Sequence, residues 1–271
     1  MNLTSKASPT INPTEPKTAL NERLTMTQTE LAANHTTDEQ AAPYSETYFD
    51  ALYHNNTDPW QYQTRWYEKR KRDICLAVLP QQHYNNAIEL GCGNGVFTEL
   101  LAHRCHTQVS IDGNAHAVRL AKQRVAALRH VRVLQGVIPN VLWNLPSALI
   151  QANPLSSDTL ASKPVFDLIV ISEILYYLSL EDIDIVIDWI KKHLAPNGTL
   201  LCCHWRYAID GFKMNGELVH QRLQQAFDKV ANHNEDYQAP FHHQTKISDS
   251  DFLLDVWQRT SASIARQENL I

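Results

Sequence analysis

The sequence predicts an α/β fold: a doubly wound, mostly parallel sheet with helices on both faces and a helical lid ahead of it. Three observations predict it. From Ala87 onward, short apolar runs alternate with helical stripes of roughly 10–15 residues, the rhythm of right-handed βαβ units. The stretch ELGCGNG, Glu89–Gly95, follows the first apolar run and opens a helical pattern, placing a glycine loop at a strand's carboxyl end, where open α/β sheets bind ligands. The run FDLIVIS, Phe166–Ser172, has the continuous apolar character of a strand buried on both faces.

Residues 1–43 are rich in Thr, Asn, Gln, Ala and Pro without periodicity, and read as a disordered tail with a short helix near Leu20–Ala33. A single domain is expected over 44–271, opened by a helical lid at 44–80. There Tyr48, Leu52 and Tyr53 stand at helical spacing, DPW at Asp58–Trp60 breaks that helix, and Arg65–Leu79 forms a second one stopped by Pro80. The first strand is Ala87–Leu90; Val96, Phe97, Leu100 and Leu101 follow as a helical stripe. QVSID, Gln108–Asp112, is the second strand, with a stripe of Val118, Ala121, Val125 and Leu128 after it. Val131–Gly136 is the third. Ser147–Pro164 interrupts the rhythm as a surface insertion before the fourth strand, Phe166–Ser172. Ser179 with Asp182 is a capping box for a helix Glu181–Leu194, and PNG at Pro196–Gly198 stops it. Thr199–Trp205 is the fifth strand, Asn215–Val230 a helix, and Asp251–Arg259 a last strand.

The 271 residues, 44% of them hydrophobic, suffice for one large domain and a tail. A net charge of −5 argues against nucleic-acid binding, which wants a basic surface. No apolar stretch approaches the roughly 20 residues of a membrane span, and the N-terminus lacks the apolar core of a secretory signal, so a cytoplasmic protein is expected. The five cysteines form no C-x-x-C pair and read as free thiols, with Cys202 and Cys203 on opposite faces of a strand. His103 and His106, and His242 and His243, lack a cysteine or acid at zinc spacing; they read as surface histidines, and no metal is expected.

Gly91, Gly93 and Gly95 let the backbone turn tightly and come close to a ligand, with Cys92 between them. A dinucleotide site wants G-x-G-x-x-G with pyrophosphate on the helix N-terminus. Here the third glycine's place is Val96, and Glu89 precedes the first glycine. An acid there is poorly placed beside a pyrophosphate, which disfavours a dehydrogenase. It suits a cation, such as the ammonium and sulfonium of S-adenosylmethionine. The second strand ends in Asp112, followed by Gly113, seventeen residues past Gly95. An acid at that strand end accepts both ribose hydroxyls of an adenosine, and Asn114 is left to cap the next helix.

At these residues the chain resembles class I S-adenosylmethionine-dependent methyltransferases: ELGCGNG is similar to their first motif and SID to the acid after it, over about Tyr84–Arg259. A narrower resemblance, over about Tyr44–Arg259, is to the nodulation protein S family, carried by YFDALY…DPW…WYEKRKR, SEILYYLS and LLCCHWR…GELVH. The resemblance implies a Rossmann-like seven-stranded sheet, S-adenosylmethionine as cofactor with S-adenosylhomocysteine as product, and N-methylation of an amino sugar, so that the partner is a small-molecule or oligosaccharide methyl acceptor. Two features depart from the pattern. Val137 stands where many class I enzymes place an acid against the adenine amino group, which leaves apolar and backbone contacts to hold the adenine. The insertion Ser147–Pro164 is longer than the family leads one to expect.

Methyl transfer is an in-line displacement on a sulfonium, so catalysis is largely positioning and desolvation, with a base to take the proton of an attacking amine. The resemblance places Ser172 and Glu173 beside the cofactor's methionine end and the reacting amine. Tyr176 and Tyr177 lie a turn further on, His204 and Trp205 follow the fifth strand, and His220 lies on the helix after it. Glu173, His204 and Tyr177 are the candidates for catalysis, and Trp60, Tyr176, Trp205 and His220 for the acceptor. The basic run RWYEKRKR reads either as a solvated face or as a helix closing over the cofactor. In the second case Tyr67 meets the methionyl part and Arg70 or Arg72 its carboxylate. Two alternatives stay open: an O-methyltransferase sharing every cofactor residue, and a cofactor-binding module without catalysis. Methylation of DNA bases is disfavoured, because SEIL stands where such enzymes carry a D/N/S-P-P-aromatic stretch.

Overall fold

In the computed structural model, which describes residues 46–145, 166–228, 241–260 and 262–271, the apolar runs pair as strands: β1 (Tyr84–Leu90), β2 (Cys105–Asp112), β3 (Val131–Gln135), β4 (Phe166–Ser172), β5 (Leu194–Trp205), β6 (His242–Ser248) and β7 (Phe252–Gln258). They form one seven-stranded sheet in the order β3-β2-β1-β4-β5-β7-β6. β1 to β5 are parallel, and β7 runs antiparallel to β5 and β6. The order reverses between β1 and β4, so the switch point lies just beyond Leu90 and Ser172, at the glycine loop and Glu173.

Among the described residues the α-helices are α1 (Glu46–Tyr53), α2 (Trp66–Ala77), α3 (Val96–Ala102), α4 (Ala115–Arg124), α5 (Leu180–His193), α6 (Gly216–Phe227) and α7 (Ile264–Gln267). Side chains start several of them. Asn114 accepts the His116 and Ala117 N–H groups at the head of α4, Ser179 that of Asp182 in α5, and Asn215 that of Leu218 in α6, each satisfying donors that a helix start leaves open.

Period-two alternation divides the core. Ile88, Ile169, Ile171, Leu200 and Cys202 pack on one face with Val186, Trp189 and Leu223. Ala87, Leu168, Val170, Leu201 and Cys203 pack on the other with Leu101 and Cys75. The two adjacent cysteines thus enter opposite layers, and all five cysteines are buried free thiols.

The differences from the sequence reading are polar in origin. β1 and β2 start at Tyr84 and Cys105, earlier than apolarity alone marks. The Asn85 and Asn86 amides donate to the Asp167 carboxylate (2.7 and 2.8 Å), and Thr107 donates to the Asn85 carbonyl. The strand without an apolar run, β6, has the sequence HHQTKIS with no fully buried residue, as an edge strand permits. Pro196–Gly198 lies within the span of β5, where the pairing with β4 is irregular between Phe166 and Leu168. The 1–43 tail with its helix at Leu20–Ala33, the insertion Ser147–Pro164, and Val230 lie outside the described residues. Among the described residues, no helix is long and apolar enough to cross a membrane.

Candidate active site

The glycine loop takes its shape from three left-handed residues, Gly91, Gly93 and Gly95, at φ +81°, +53° and +80°. At Gly91 a Cβ would lie 2.8 Å from the Ile174 Cβ, and at Gly95 2.8 Å from the Ala121 Cα. The first glycine therefore admits the loop after β4, and the third lets α3 and α4 close together. The Gly91 and Cys92 amides donate to the Ile111 carbonyl. Asp112 ties the loop down further: its Oδ2 accepts the Gly93 N–H (2.8 Å) and its Oδ1 the Asn114 N–H (2.9 Å). Because it both shapes the loop and faces the cleft, Asp112→Ala is expected to weaken S-adenosylmethionine binding by roughly 1.5–3 kcal/mol, the scale of lost charged hydrogen bonds. Calorimetric titration checks this, and an unchanged affinity would remove Asp112 from the ribose site.

Glu89, the next-to-last residue of β1, is 2% exposed. Three donors converge on its Oε2: Thr98 Oγ1 (2.6 Å), Ser110 Oγ (2.8 Å) and Gln108 Nε2 (3.5 Å). Oε1 is left for a ligand. Burial pushes the carboxyl up to about 7, against the pull of those hydrogen bonds. Below about pH 7 the free protein holds Glu89 protonated and neutral, so a cationic ligand must displace that proton. Affinity for S-adenosylmethionine should fall by up to about tenfold per pH unit below that point, with proton release on binding. Titrations in buffers of different ionisation enthalpy at acid and alkaline pH read both; a pH-independent affinity would exclude contact between Glu89 and the ligand's ammonium.

The lid is fastened to this loop. Asn94 Nδ2 donates to the Thr57 carbonyl (3.2 Å) and to Asp58 Oδ1 (3.1 Å), and Asp58 caps the following turn by accepting the Tyr62 and Gln63 amides. Asn114 Nδ2 donates to Asp50 Oδ1 on α1 at 2.8 Å. Two adjoining cavities lie beneath. One is bounded by Tyr62, Glu68, Lys71 and Arg72 from the lid and by Glu89, Cys92 and Ser172 from the sheet. The other is bounded by Phe49, Tyr53 and Trp60 from the lid and by Asp112, Gly113 and Tyr177. Tyr62, Gly91, Gly93 and Glu173 line both.

Glu173 stands at this junction in a left-handed conformation, φ +60°, which costs a non-glycine residue of order 1–3 kcal/mol and persists only where the surroundings impose it. The Glu173 N–H donates to the Cys203 carbonyl at 2.9 Å. Its Oε2 accepts the Tyr176 hydroxyl (2.5 Å) and the Trp205 N–H (2.9 Å), and its Oε1 pairs with Lys71 Nζ at 2.6 Å. Lys71 also pairs with Glu68 at 3.1 Å. Burial works to lower the Lys71 pKa, but Glu173 and Glu68 outweigh it and hold the ammonium above its ordinary value.

The structure corrects several sequence-based placements. Glu68, Lys71, Arg72 and Cys75 form the buried face of α2, at the i, i+3, i+4, i+7 spacing of one helical face. Arg70 lies off that face and pairs instead with Asp249 at 2.7 Å, so Arg72 is the arginine at the cavity. Its Nε and Nη1 are buried without a hydrogen-bond partner. Tyr67 packs on Trp205 and Phe252, with Lys71 over its ring, and lines neither cavity. His204 and His220 are 0% and 1% exposed and bonded to each other, so neither reaches an acceptor. Tyr176 is buried and gives its hydroxyl to Glu173. Trp205, partly buried, lies against Tyr67 and Tyr207. Val137 is 38% exposed and lines neither cavity, and Gly95 serves helix packing. His243 is no free surface histidine: it bonds Asp255 at 2.7 Å. Lys71, Glu68, Tyr53 and Tyr62 were not singled out from sequence; the helical phase of Glu68, Lys71 and Arg72 with Cys75 was the available signal.

The cleft fits S-adenosylmethionine. Glu89 Oε1 suits its ammonium and Asp112 its ribose; the Arg72 guanidinium, whose Nη1 lies 3.7 Å from Glu68 Oε2 and whose Nε and Nη1 make no hydrogen bond, suits its carboxylate. The Tyr53 hydroxyl is buried without a partner close to Gly93, and burial beside Asp112 keeps it protonated as a donor.

Comparison with known proteins agrees. A methyltransferase-domain model matches residues 88–200. Nodulation protein S of Rhizobium tropici is 30% identical over 146 residues, 53% of each chain, and that of Sinorhizobium fredii 28% over 148 residues, 53% of this chain and 59% of the relative. The chain thus spans little more than half the length of these curated relatives. A crystal structure of a Pseudomonas syringae protein assigned as a methyltransferase is 34% identical, with 72% of this chain and 99% of that one covered and a TM-score of 0.52. N-methyltransferase NodS from Bradyrhizobium japonicum WM9, solved with S-adenosylhomocysteine, shares the fold at 23% identity and a TM-score of 0.60, with 81% and 98% covered. With Glu89, the glycine loop and Asp112 converging on one cleft, the chain belongs to the S-adenosylmethionine-dependent methyltransferases of class I fold and is similar to nodulation protein S.

Proposed function

We propose that the protein N-methylates an amino sugar or a similar small polar amine. The observation that carries this reading is the placement of Glu173, a carboxylate lining both the Glu89 cavity and the aromatic cavity. A carboxylate at that junction attracts an ammonium, orients the nitrogen and takes up its proton. S-adenosylmethionine, when bound, supplies a methyl group already activated on a sulfonium. Glu89 and Arg72 hold opposite charges of the amino acid end, Asp112 and Tyr53 hold the ribose, and the lid aromatics exclude water. Lys71, Tyr176 and the Trp205 amide fix the Glu173 carboxylate, so it does not have to be ordered when an acceptor arrives. Trp60 and Tyr177 offer apolar surface to the acceptor. The solved N-methyltransferase NodS that shares this fold supports the amine over a hydroxyl. So does the burial of His204, which keeps that imidazole from serving as the base for a hydroxyl acceptor.

The test supplies S-adenosylmethionine with a labelled methyl group to glucosamine oligomers, either with a free amine or fully N-acetylated. Label is expected only in oligomers with a free amine, on nitrogen. Label on a hydroxyl of both oligomers would replace this reading with O-methylation.

A further inference from the structure

Behind the Glu173 turn, four buried or half-buried side chains from four elements form one hydrogen-bonded chain. Asp255 on β7 accepts His220 Nδ1 at 2.5 Å and Gln224 Nε2 at 3.1 Å on Oδ2, and His243 Nε2 at 2.7 Å on Oδ1. His220 Nε2, on α6, lies 3.1 Å from His204 Nδ1 on β5. His204 Nε2 accepts the Leu175 N–H at 3.4 Å. Leu175 opens the short 3-10 turn Leu175–Tyr177, and the next residue, Tyr176, holds the Glu173 carboxylate. Asp255, His220 and His204 are each at most 1% exposed.

We infer that Asp255, His220 and His204 form a positioning relay that fixes one tautomer of His204 and thereby holds the turn carrying Glu173. The proton assignment follows link by link. Asp255 is ionised: burial pushes its carboxyl up, but the hydrogen bonds from His220 and His243 outweigh this and hold it well below the usual range. A carboxylate only accepts, so His220 carries its proton on Nδ1. At the other end the Leu175 N–H needs a bare His204 Nε2, which puts the His204 proton on Nδ1. His204 Nδ1–H then donates to His220 Nε2. A protonated His204 would face the Leu175 N–H donor to donor. Burial, first, and the Lys71 ammonium disfavour that cation, and Asp255 alone among the nearby charges favours it. The logic is that of a metal- or base-bearing histidine oriented by the group behind it, except that here the last member is a backbone amide beside the strained Glu173. His204 and His220 thus act on the reaction through Glu173 and touch no substrate.

The relay concerns the same site as the proposed N-methylation, and its kinetic test rests on that reading; its spectroscopic test does not. Long-range proton–nitrogen correlation of the 15N-histidine-labelled wild-type protein reads each imidazole's tautomer, with the His204 signals assigned by their loss in His204→Gln. His204 is expected to show a protonated Nδ1 and a bare Nε2 throughout about pH 5.5–8, without titrating. A proton on Nε2, or a His204 that titrates in that range, would overturn the relay. In kinetics, His204→Gln keeps an acceptor where Nε2 stood, and His204→Phe keeps the ring without one. The phenylalanine variant should lose about tenfold or more in kcat with S-adenosylhomocysteine affinity within about threefold, and the glutamine variant should recover most of that loss. Equal kcat in the phenylalanine variant and wild type would also overturn the relay. If no acceptor is methylated by the wild type, the N-methylation reading fails, and the tautomer spectrum still decides the relay.

Discussion

Glu173→Gln is expected to lower kcat roughly 10²–10⁴-fold, the span of a removed general base, while the affinity for S-adenosylmethionine moves by less than about threefold. The substitution keeps the shape. A glutamine oxygen still accepts the Trp205 N–H and the Tyr176 hydroxyl that Oε2 now holds. Lys71 keeps Glu68 as a partner. What is lost is the negative charge and the proton acceptor at the junction of the two cavities. The cofactor's ammonium and ribose depend on Glu89 and Asp112, which are untouched. Rapid-quench single turnovers with a free-amine acceptor, paired with calorimetry, separate the two effects. Wild-type turnover would take Glu173 out of the chemistry, and an equal loss of cofactor affinity would place it in the cofactor site instead.

The second large effect is on stability. Lys71→Met keeps the volume of a side chain that is 5% exposed but removes the ammonium between two carboxylates, Glu68 and Glu173, that are themselves only 9% and 12% exposed. Removing one partner of a buried ion pair typically costs about 3–5 kcal/mol, because the charge left behind has neither water nor a counter-ion. Urea denaturation should show a loss of that order. Adding Glu173→Gln to Lys71→Met should recover part of it, a positive coupling between contacting residues. A loss below about 1 kcal/mol would mean that the triad is hydrated.

These two residues also mark the limit of what the sequence could tell. Glu89, the three glycines and Asp112 were legible because their chemistry is local: one strand end, one loop and the next strand end put them within hydrogen-bond reach. Glu173 was legible as an acid directly after a buried strand. Lys71 was hidden in a basic run whose usual fate is a solvated face; only the phase of α2, set by Cys75 and Leu79 against the sheet, turns it inward while Arg70 turns out. His204 ends an apolar run near the carboxyl end of β5, a place that reads in sequence as the mouth of the sheet. Its burial comes from α6 and β7, brought there by folds of the chain 16 and 51 residues away. The strand β6 escaped because an edge strand needs no apolar face. Its HHQTKIS reads as a polar loop until β7 supplies the ladder. Tyr53 and Tyr62 carried no signal of their own in the sequence: an aromatic residue near a cleft packs as often as it binds, and only the cavities they line separate the two uses.

The most direct test of the cofactor cleft is calorimetric titration of the wild-type protein, above pH 7 where Glu89 is ionised, with S-adenosylmethionine and separately with NAD. One site of about micromolar affinity for S-adenosylmethionine, and no binding of NAD, is the result expected from an acid ahead of a G-x-G-x-G loop. Comparable binding of NAD, or no binding of S-adenosylmethionine, would contradict the assignment of Glu89, the glycine loop and Asp112 as its site.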